Sequence, residues 1–321
     1  MSATTTIPVN RSTLEITTDF ILANLAKRTA VKDGPALVIG IQGPQGSGKS
    51  YLAQQLEQSP ELSHLRIANL SLDDLYLPHA RLEQLADANP GNDLLKGRGQ
   101  AATHDLALGI DVLSRLKERT NARHDVRIPR FEKSLFDGEG DRVPEREWPV
   151  VRDPVDLVLF EGWMLGFESI ASNEDLGQVY NLAKRDASGR QVKELLGGID
   201  YDEPFIMRFR LEHLEKVNGE LKAYDALWDL VDGWVELKPE KLGYVWEWRL
   251  EQEHTMKAKN GGIGMTDEQV KTFISRYMPG YELFSTSSKT RKRDDSKKHG
   301  PLLTIEIGQQ RQVVDVRETS C

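Results

Sequence analysis

The stretch VIGIQGPQGSGKSYLAQQL, residues 38–56, changes character twice in a short span. Leu37–Ile41 is an apolar, β-branched run, which predicts a buried strand reaching Gly43. Tyr51–Gln58 has helix-forming composition, with Leu52 and Leu56 one turn apart. Between them Gly43, Pro44, Gln45, Gly46, Ser47, Gly48, Lys49 and Ser50 fit G-x-x-x-x-G-K-[ST] at every fixed position. Glycines let successive backbone N–H groups turn inward and form a nest for anionic oxygens. The N-terminus of the following helix adds partial positive charge behind that nest. Lys49 is placed to reach the β- and γ-phosphates, and the Ser50 hydroxyl to ligate Mg²⁺. The bend therefore reads as the cradle for the phosphate tail of a nucleoside triphosphate. Its bland alternative is a strand-to-helix turn that binds nothing.

The surrounding sequence repeats the strand-then-helix rhythm. Further strands are expected at Arg66–Leu72, Leu157–Glu161, Trp234–Leu237 and Leu302–Ile307. Helices are expected at Thr18–Arg28, His79–Ala88, His104–Arg119, Phe205–Val217, Leu221–Leu230, Leu242–Lys257 and Asp267–Tyr277. Such alternation argues for an α/β fold of the P-loop NTPase type: a mainly parallel five-stranded sheet between helices. Ligands of such sheets bind beyond the C-terminal strand ends, where the glycine loop falls. The expected organisation is a flexible tail over 1–16 and one domain over 17–321. That domain carries a helical lid at about 242–264. An excursion above the sheet covers Asp137–Asp153, and a charged insertion covers 285–300.

Composition narrows the class. The chain has 321 residues and a net charge of −8, so a general nucleic-acid binder is not expected. Its single cysteine, Cys321, allows no intrachain disulfide and points to a reducing compartment. No apolar run has the length of a membrane span, and the Ser/Thr-rich start does not read as a secretory signal. A cytoplasmic protein without membrane or nucleic-acid partners is expected. The basic cluster Lys289–Arg293 also resembles a nuclear-import patch.

Several carboxylates and cations cluster around the loop by position. In ANLSLDDLYLPHARL, Asp73 lies 24 residues after Lys49, one helix and one return strand later. It lands at the same sheet edge, where a carboxylate accepts the proton of an attacking hydroxyl or helps hold Mg²⁺. Otherwise Asp73 or Asp74 is a helix N-cap. In PVDLVLFEGWMLG, Glu161 ends an apolar strand and suits orientation of Mg²⁺ or its waters. In LLKGRGQAATHDLALGIDVL, Thr103 reads as an N-cap and Asp105 as a first-turn residue, while Arg98 and His104 are free to aim cations at an anionic substrate. Arg130 and Lys133 of RIPRFEKSLFDGEGDR read the same way. Arg249 of LGYVWEWRLEQEHTM is either an i,i+4 partner of Glu253 or a lid arginine, worth roughly 10³–10⁵ in rate when it meets a transferring phosphoryl group.

With these blocks assembled, the sequence resembles the D-glycerate 3-kinase family in its fungal form. That family belongs among the small-molecule P-loop kinases with uridine kinase, pantothenate kinase and phosphoribulokinase. The carrying blocks are GPQGSGKS, SLDDLY, GRGQAATHD, PRFEKSLFDGEGDR, FEGWMLGF, WEWRLEQE and GMTDEQVKTFISRYMPGY, spanning 43–281. One departure is Ala101-Ala102, where family members more often carry a glycine-containing pair. The resemblance implies ATP- and Mg²⁺-dependent phosphorylation of glycerate on its 3-hydroxyl. It gives Asp73 the role of base, Glu161 that of the strand-end acid and Arg249 that of a lid arginine. It places Arg98, His104, Arg130 and Lys133 around the acceptor. Two other readings of the residues remain: a kinase for pantothenate or a nucleoside, and an ATP-binding switch that turns over no metabolite.

Overall fold

The computed structural model describes residues 4–6, 11–28, 34–118, 125–152, 154–186, 188–259, 261–285 and 300–319. The expected charged insertion and its basic cluster, apart from Ser285 and Gly300, lie outside the described residues.

The strands of the main sheet are β1 (Thr4–Thr6), β2 (Leu37–Gln42), β3 (Ile67–Ser71), β4 (Leu157–Gly162), β5 (Gly233–Pro239), β6 (Leu302–Ile307) and β7 (Val313–Thr319). Their order is β1-β7-β6-β5-β2-β4-β3. The five strands from β6 to β3 are parallel, as their sequence pattern demanded. Two antiparallel strands extend the sheet beyond the expected five: β7 returns from β6, and β1 pairs with β7. Thr4–Thr6, expected in a flexible tail, is thus an edge strand.

Helices cover both faces, so β2 is buried at every position. Leu37, Ile39 and Ile41 share one apolar layer with Ile16, Phe20 and Ile21 of α1 (Thr13–Arg28) and Leu52 and Leu56 of α2 (Lys49–Glu57). Val38 and Phe160 join the other layer. There they meet Val112 and Leu113 of α4 (Leu106–Lys117), which follows α3 (His79–Asp87) in the chain. The remaining helices are α5 (Asn173–Arg185), α6 (Arg190–Leu195), α7 (Leu211–Leu221), α8 (Asp225–Trp228), α9 (Tyr244–Lys259), α10 (Asp267–Ser275) and α11 (Met278–Phe284). Among the described residues no helix is long and apolar enough to cross a membrane.

Two local expectations shift. Helix α1 begins at Thr13 rather than Thr18, because Ser12 and Glu15 bond each other's backbone N–H in a capping box. Asp105, not Thr103, caps α4, its carboxylate accepting from Leu108 N at 3.1 Å. Thr103 instead ties its own loop: Gly99 N donates to its hydroxyl, which donates to Gln100 O.

The excursion starts earlier than expected. Val126–Arg127 pairs with Val150–Val151, and Phe131–Glu132 pairs with Asp141–Arg142. Arg142 fastens this hairpin to the sheet edge, donating to Asp105 at 3.0 Å and to Tyr76 O at 2.7 Å. The excursion therefore stands fixed above the C-terminal ends of β2, β3 and β4.

Candidate active site

Strand order reverses at β2, and the crevice this leaves at the C-terminal strand ends receives the glycine loop. Gly48 precedes α2 with φ 94° and offers no side-chain cap, so the first-turn N–H groups of α2 keep no side-chain acceptor from it. Gly46 has φ 81°, and an added Cβ there would collide with Trp248 of α9. Only glycine suits that position. Tyr281 of α11 supports the loop, its hydroxyl accepting Gln45 N–H at 3.1 Å.

The register places Glu161 beside Ile41 on one side and Ser71 on the other. Its Oε1 accepts the Ser50 hydroxyl at 3.1 Å and the Ser71 hydroxyl at 2.8 Å. Lys49 Nζ lies 4.0 Å from Oε2, which is buried without a hydrogen-bond partner among the described residues. A hydroxyl and a carboxylate with one spare oxygen are hard donors that fit Mg²⁺, which binds few protein ligands and takes the rest from phosphates and water. The structure thus brings Lys49, Ser50 and Glu161 together.

Asp73 follows β3 in a short 3₁₀ turn, Leu72–Leu75. Ser71 caps that turn by accepting from Asp73 N, so neither aspartate spends its carboxylate on a cap. Lys133, from the excursion, donates to Asp73 Oδ2 at 2.5 Å. Burial by itself raises the Asp73 pKa, but the Lys133 and Lys49 ammonium groups outweigh it and hold the carboxyl far below its ordinary value. The Lys133 pKa is raised in turn, chiefly by Asp73. Asp73 is therefore ionised, anchored by Lys133 and within the field of Lys49.

The other predicted cations divide. Arg98 donates to the carbonyls of Gly138 and Glu139, and its charge is felt at Lys133, Tyr76 and Tyr277. It shares the neighbourhood of Asp73. Arg130 is held 2.6 Å from Asp74, whose other oxygen accepts Phe131 N–H. That pair builds the wall rather than leaving a free cation. His104 does not act as a cation at all: it is 5% exposed, and burial lowers its pKa to about 3. It is a neutral ring stacked on Tyr76, with centroids 4.4 Å apart.

Arg249 takes the i,i+4 option. Its guanidinium lies 2.9 Å from the fully buried Glu253 carboxylate and 5.4 Å from the Phe273 ring centre. Helix α9 itself is anchored by Trp248, which packs at Gly46 and donates to Gln309 O at 2.6 Å.

Sequence reasoning missed the tyrosines. Tyr76, Tyr224, Tyr277 and Tyr281 surround Asp73, His104 and the loop, each with its phenol held protonated by burial. Tyr277 packs so closely on Gly99 that a side chain there would meet its ring at 3.0 Å. The one local signal was Gly99 itself. Ser71 was also missed, although it is one strand residue from Leu72.

No protein-family model matches the chain. Individual proteins do. The chloroplastic D-glycerate 3-kinase of Arabidopsis thaliana is 36% identical over 257 residues, 79% of this chain and 49% of that protein. The chain thus spans about half the length of this plant relative. The uncharacterized kinase mug58 of Schizosaccharomyces pombe is 36% identical over 274 residues, covering 85% of this chain and 89% of that one. Among solved structures, D-glycerate 3-kinase from Cryptococcus neoformans superposes with a TM-score of 0.80 at 39% identity, covering 96% of this chain and 99% of that one. A P-loop with its strand-end acid, an anchored aspartate and full-length likeness at that identity agree: the chain belongs to the D-glycerate 3-kinase family of P-loop kinases.

Proposed function

We propose that the protein transfers the γ-phosphoryl group of ATP to the 3-hydroxyl of D-glycerate. The observation that carries this reading is the Asp73–Lys133 pair, standing at the strand edge that also bears Lys49, Ser50 and Glu161. The names of the plant and Cryptococcus relatives support the choice of acceptor. A single cysteine in the sequence supports a reducing, cytoplasmic setting.

Residues 43–50 hold the phosphate tail through backbone N–H groups and Lys49. Ser50 and Glu161 would hold Mg²⁺, which neutralises charge on the phosphate oxygens when bound. Lys133 and Arg98 receive the acceptor carboxylate, with the Arg130–Asp74 pair as supporting wall. Asp73 orients the hydroxyl and takes its proton as the new O–P bond forms and the bond to the ADP oxygen breaks. Its strongly lowered pKa makes it a weak base. A loose phosphoryl transition state asks more for alignment than for basicity, since the attacking oxygen bonds weakly until late. Arg249 takes the charge-stabilising role when the lid closes and its pairing with Glu253 opens. Such closure also keeps water from the γ-phosphorus.

The test is ADP release with D-glycerate, L-glycerate, pantothenate, uridine and no acceptor. D-glycerate is expected to give the highest kcat/KM. Faster turnover of pantothenate or uridine overturns the acceptor, and ATP binding without acceptor-dependent ADP release overturns the enzyme.

A further inference from the structure

His104 is buried beside the proposed reaction centre, yet it does no work in the mechanism above. Its Nδ1 lies 2.7 Å from the Tyr224 hydroxyl. Burial keeps that phenol protonated, so its hydrogen needs an acceptor. Among the described residues Nδ1 is the one acceptor found for it, and the amide N–H groups of Ala102 and His104 bear on the phenol oxygen. Tyr224 therefore donates and Nδ1 accepts. The ring proton is then on Nε2, the nitrogen on the opposite edge, and Nε2 is buried without a hydrogen-bond partner among the described residues. A buried donor left unmet costs free energy unless something arrives to meet it.

Position indicates what arrives. His104 stacks on Tyr76, and the Asp73 charge is felt by both rings. Tyr76 links the two, because its phenol also lies against Asp73, so an acceptor hydroxyl placed for Asp73 brings its neighbouring substituents toward this stacked pair. A carboxylate there would face Asp73 with no cation from His104 to offset it. The attacking hydroxyl is an equally poor match, because an N–H bonded to its oxygen would draw off electron density that must reach phosphorus. A neutral hydroxyl on the adjacent carbon fits the remaining place.

We propose that His104 is a specificity-determining residue that reads the 2-hydroxyl of the acceptor as a neutral Nε2–H donor, with Tyr224 setting its tautomer. This rests on the reading of Asp73 as the group that orients the 3-hydroxyl.

The experiment compares D-glycerate with 3-hydroxypropionate, which keeps the carboxylate and the reacting hydroxyl and lacks the 2-hydroxyl. The readout is the ratio of their kcat/KM values in ADP release. The native enzyme is expected to prefer D-glycerate by about 10- to 100-fold, the range of one buried hydrogen bond lost with its partner left unmet. His104→Leu is expected to collapse that preference to within about threefold, with KM for ATP unchanged. His104→Gln, which offers a neutral N–H at similar reach, is expected to restore much of it. Tyr224→Phe, which frees the tautomer while keeping the ring, is expected to erode it in the same sense. It provides the test should the leucine variant fail to fold. An equal loss on both acceptors in His104→Leu, or no native preference, overturns the inference while leaving the kinase reading intact. Failure of the native enzyme to turn over either acceptor overturns the reading beneath it and the inference together.

Discussion

Replacing Lys133 by methionine keeps the length of the side chain and removes the ammonium that lies 2.5 Å from Asp73 Oδ2. In the native protein burial acts to raise the Asp73 pKa, but Lys133 and then Lys49 prevail and hold the carboxyl ionised well below the usual range. Two unit charges about 3 Å apart attract by about 1.4 kcal/mol in bulk water and about 5.5 kcal/mol at an effective dielectric of 20. The Lys133 side chain is 54% exposed and that of Asp73 29%, so solvent screening favours the lower end. That end corresponds to a rise of about one to two pKa units on losing Lys133. A carboxylate base works above its pKa. The native acid limb of kcat/KM for the acceptor therefore lies below the ordinary carboxylate range, and in Lys133→Met it moves upward by that amount. The assay is initial-rate ADP release with saturating ATP after brief pH jumps from neutral pH down to about pH 2, each profile normalised to its own plateau. Normalisation matters because the variant also loses a contact to the acceptor carboxylate and its plateau falls. Superimposable profiles would refute the argument, since Lys133 would then not be what holds Asp73 ionised.

Asp73→Asn keeps the shape of the side chain and removes its basicity; kcat is expected to fall roughly 10²- to 10⁴-fold while KM for ATP stays near native, and full activity would sink the assignment. Gly46→Ala puts a methyl group against Trp248 at φ 81°. Left-handed strain of about 1–2 kcal/mol, with the overpacking added, is expected to raise KM for ATP at least about tenfold, as read by initial rates, and an unchanged KM counts against α9 shaping the nest. Glu282 is fully buried, and burial raises its pKa from 4.5 to about 7 despite bonds from Tyr201, Phe205 N and Ile206 N. The folded state then binds the proton more tightly than the unfolded chain, so this contribution is present below pH 4.5 and is lost as pH rises through 7. It amounts to about 3 kcal/mol or less, and melting curves of native and Glu282→Gln protein across that window are expected to diverge in slope; parallel slopes count against it.

Local chemistry was legible where the chain itself supplies the neighbours. The glycine loop, the strand before it and the acid ending β4 need only short-range geometry and strand register. The i,i+4 pairing of Arg249 with Glu253 was readable from spacing, whereas the equally local Ser12–Glu15 capping box went unread and the helix was expected to start later. Strand β7 was missed because its alternation is shallow and polar, with Asp315, Arg317 and Glu318 on a partly exposed strand. Such a strand carries little of the apolar signal on which pattern reading depends.

The sequence by itself determined that a complete phosphate-loop motif stands between the first parallel strand and its helix, and that Glu161 and Asp73 reach the same edge. Both follow from local residue types and from the length of one helix plus one strand. Only the tertiary structure decided which charges are free to act. Lys133 meets Asp73 across 60 positions, Arg130 meets Asp74 across 56, and Tyr224 meets His104 across 120. Whether an arginine is a ligand or a wall, or a histidine a cation or a neutral donor, depends on burial and on partners that arrive from other elements. Desolvation and Coulomb energy are set by distances in space, and spacing along a chain does not encode them.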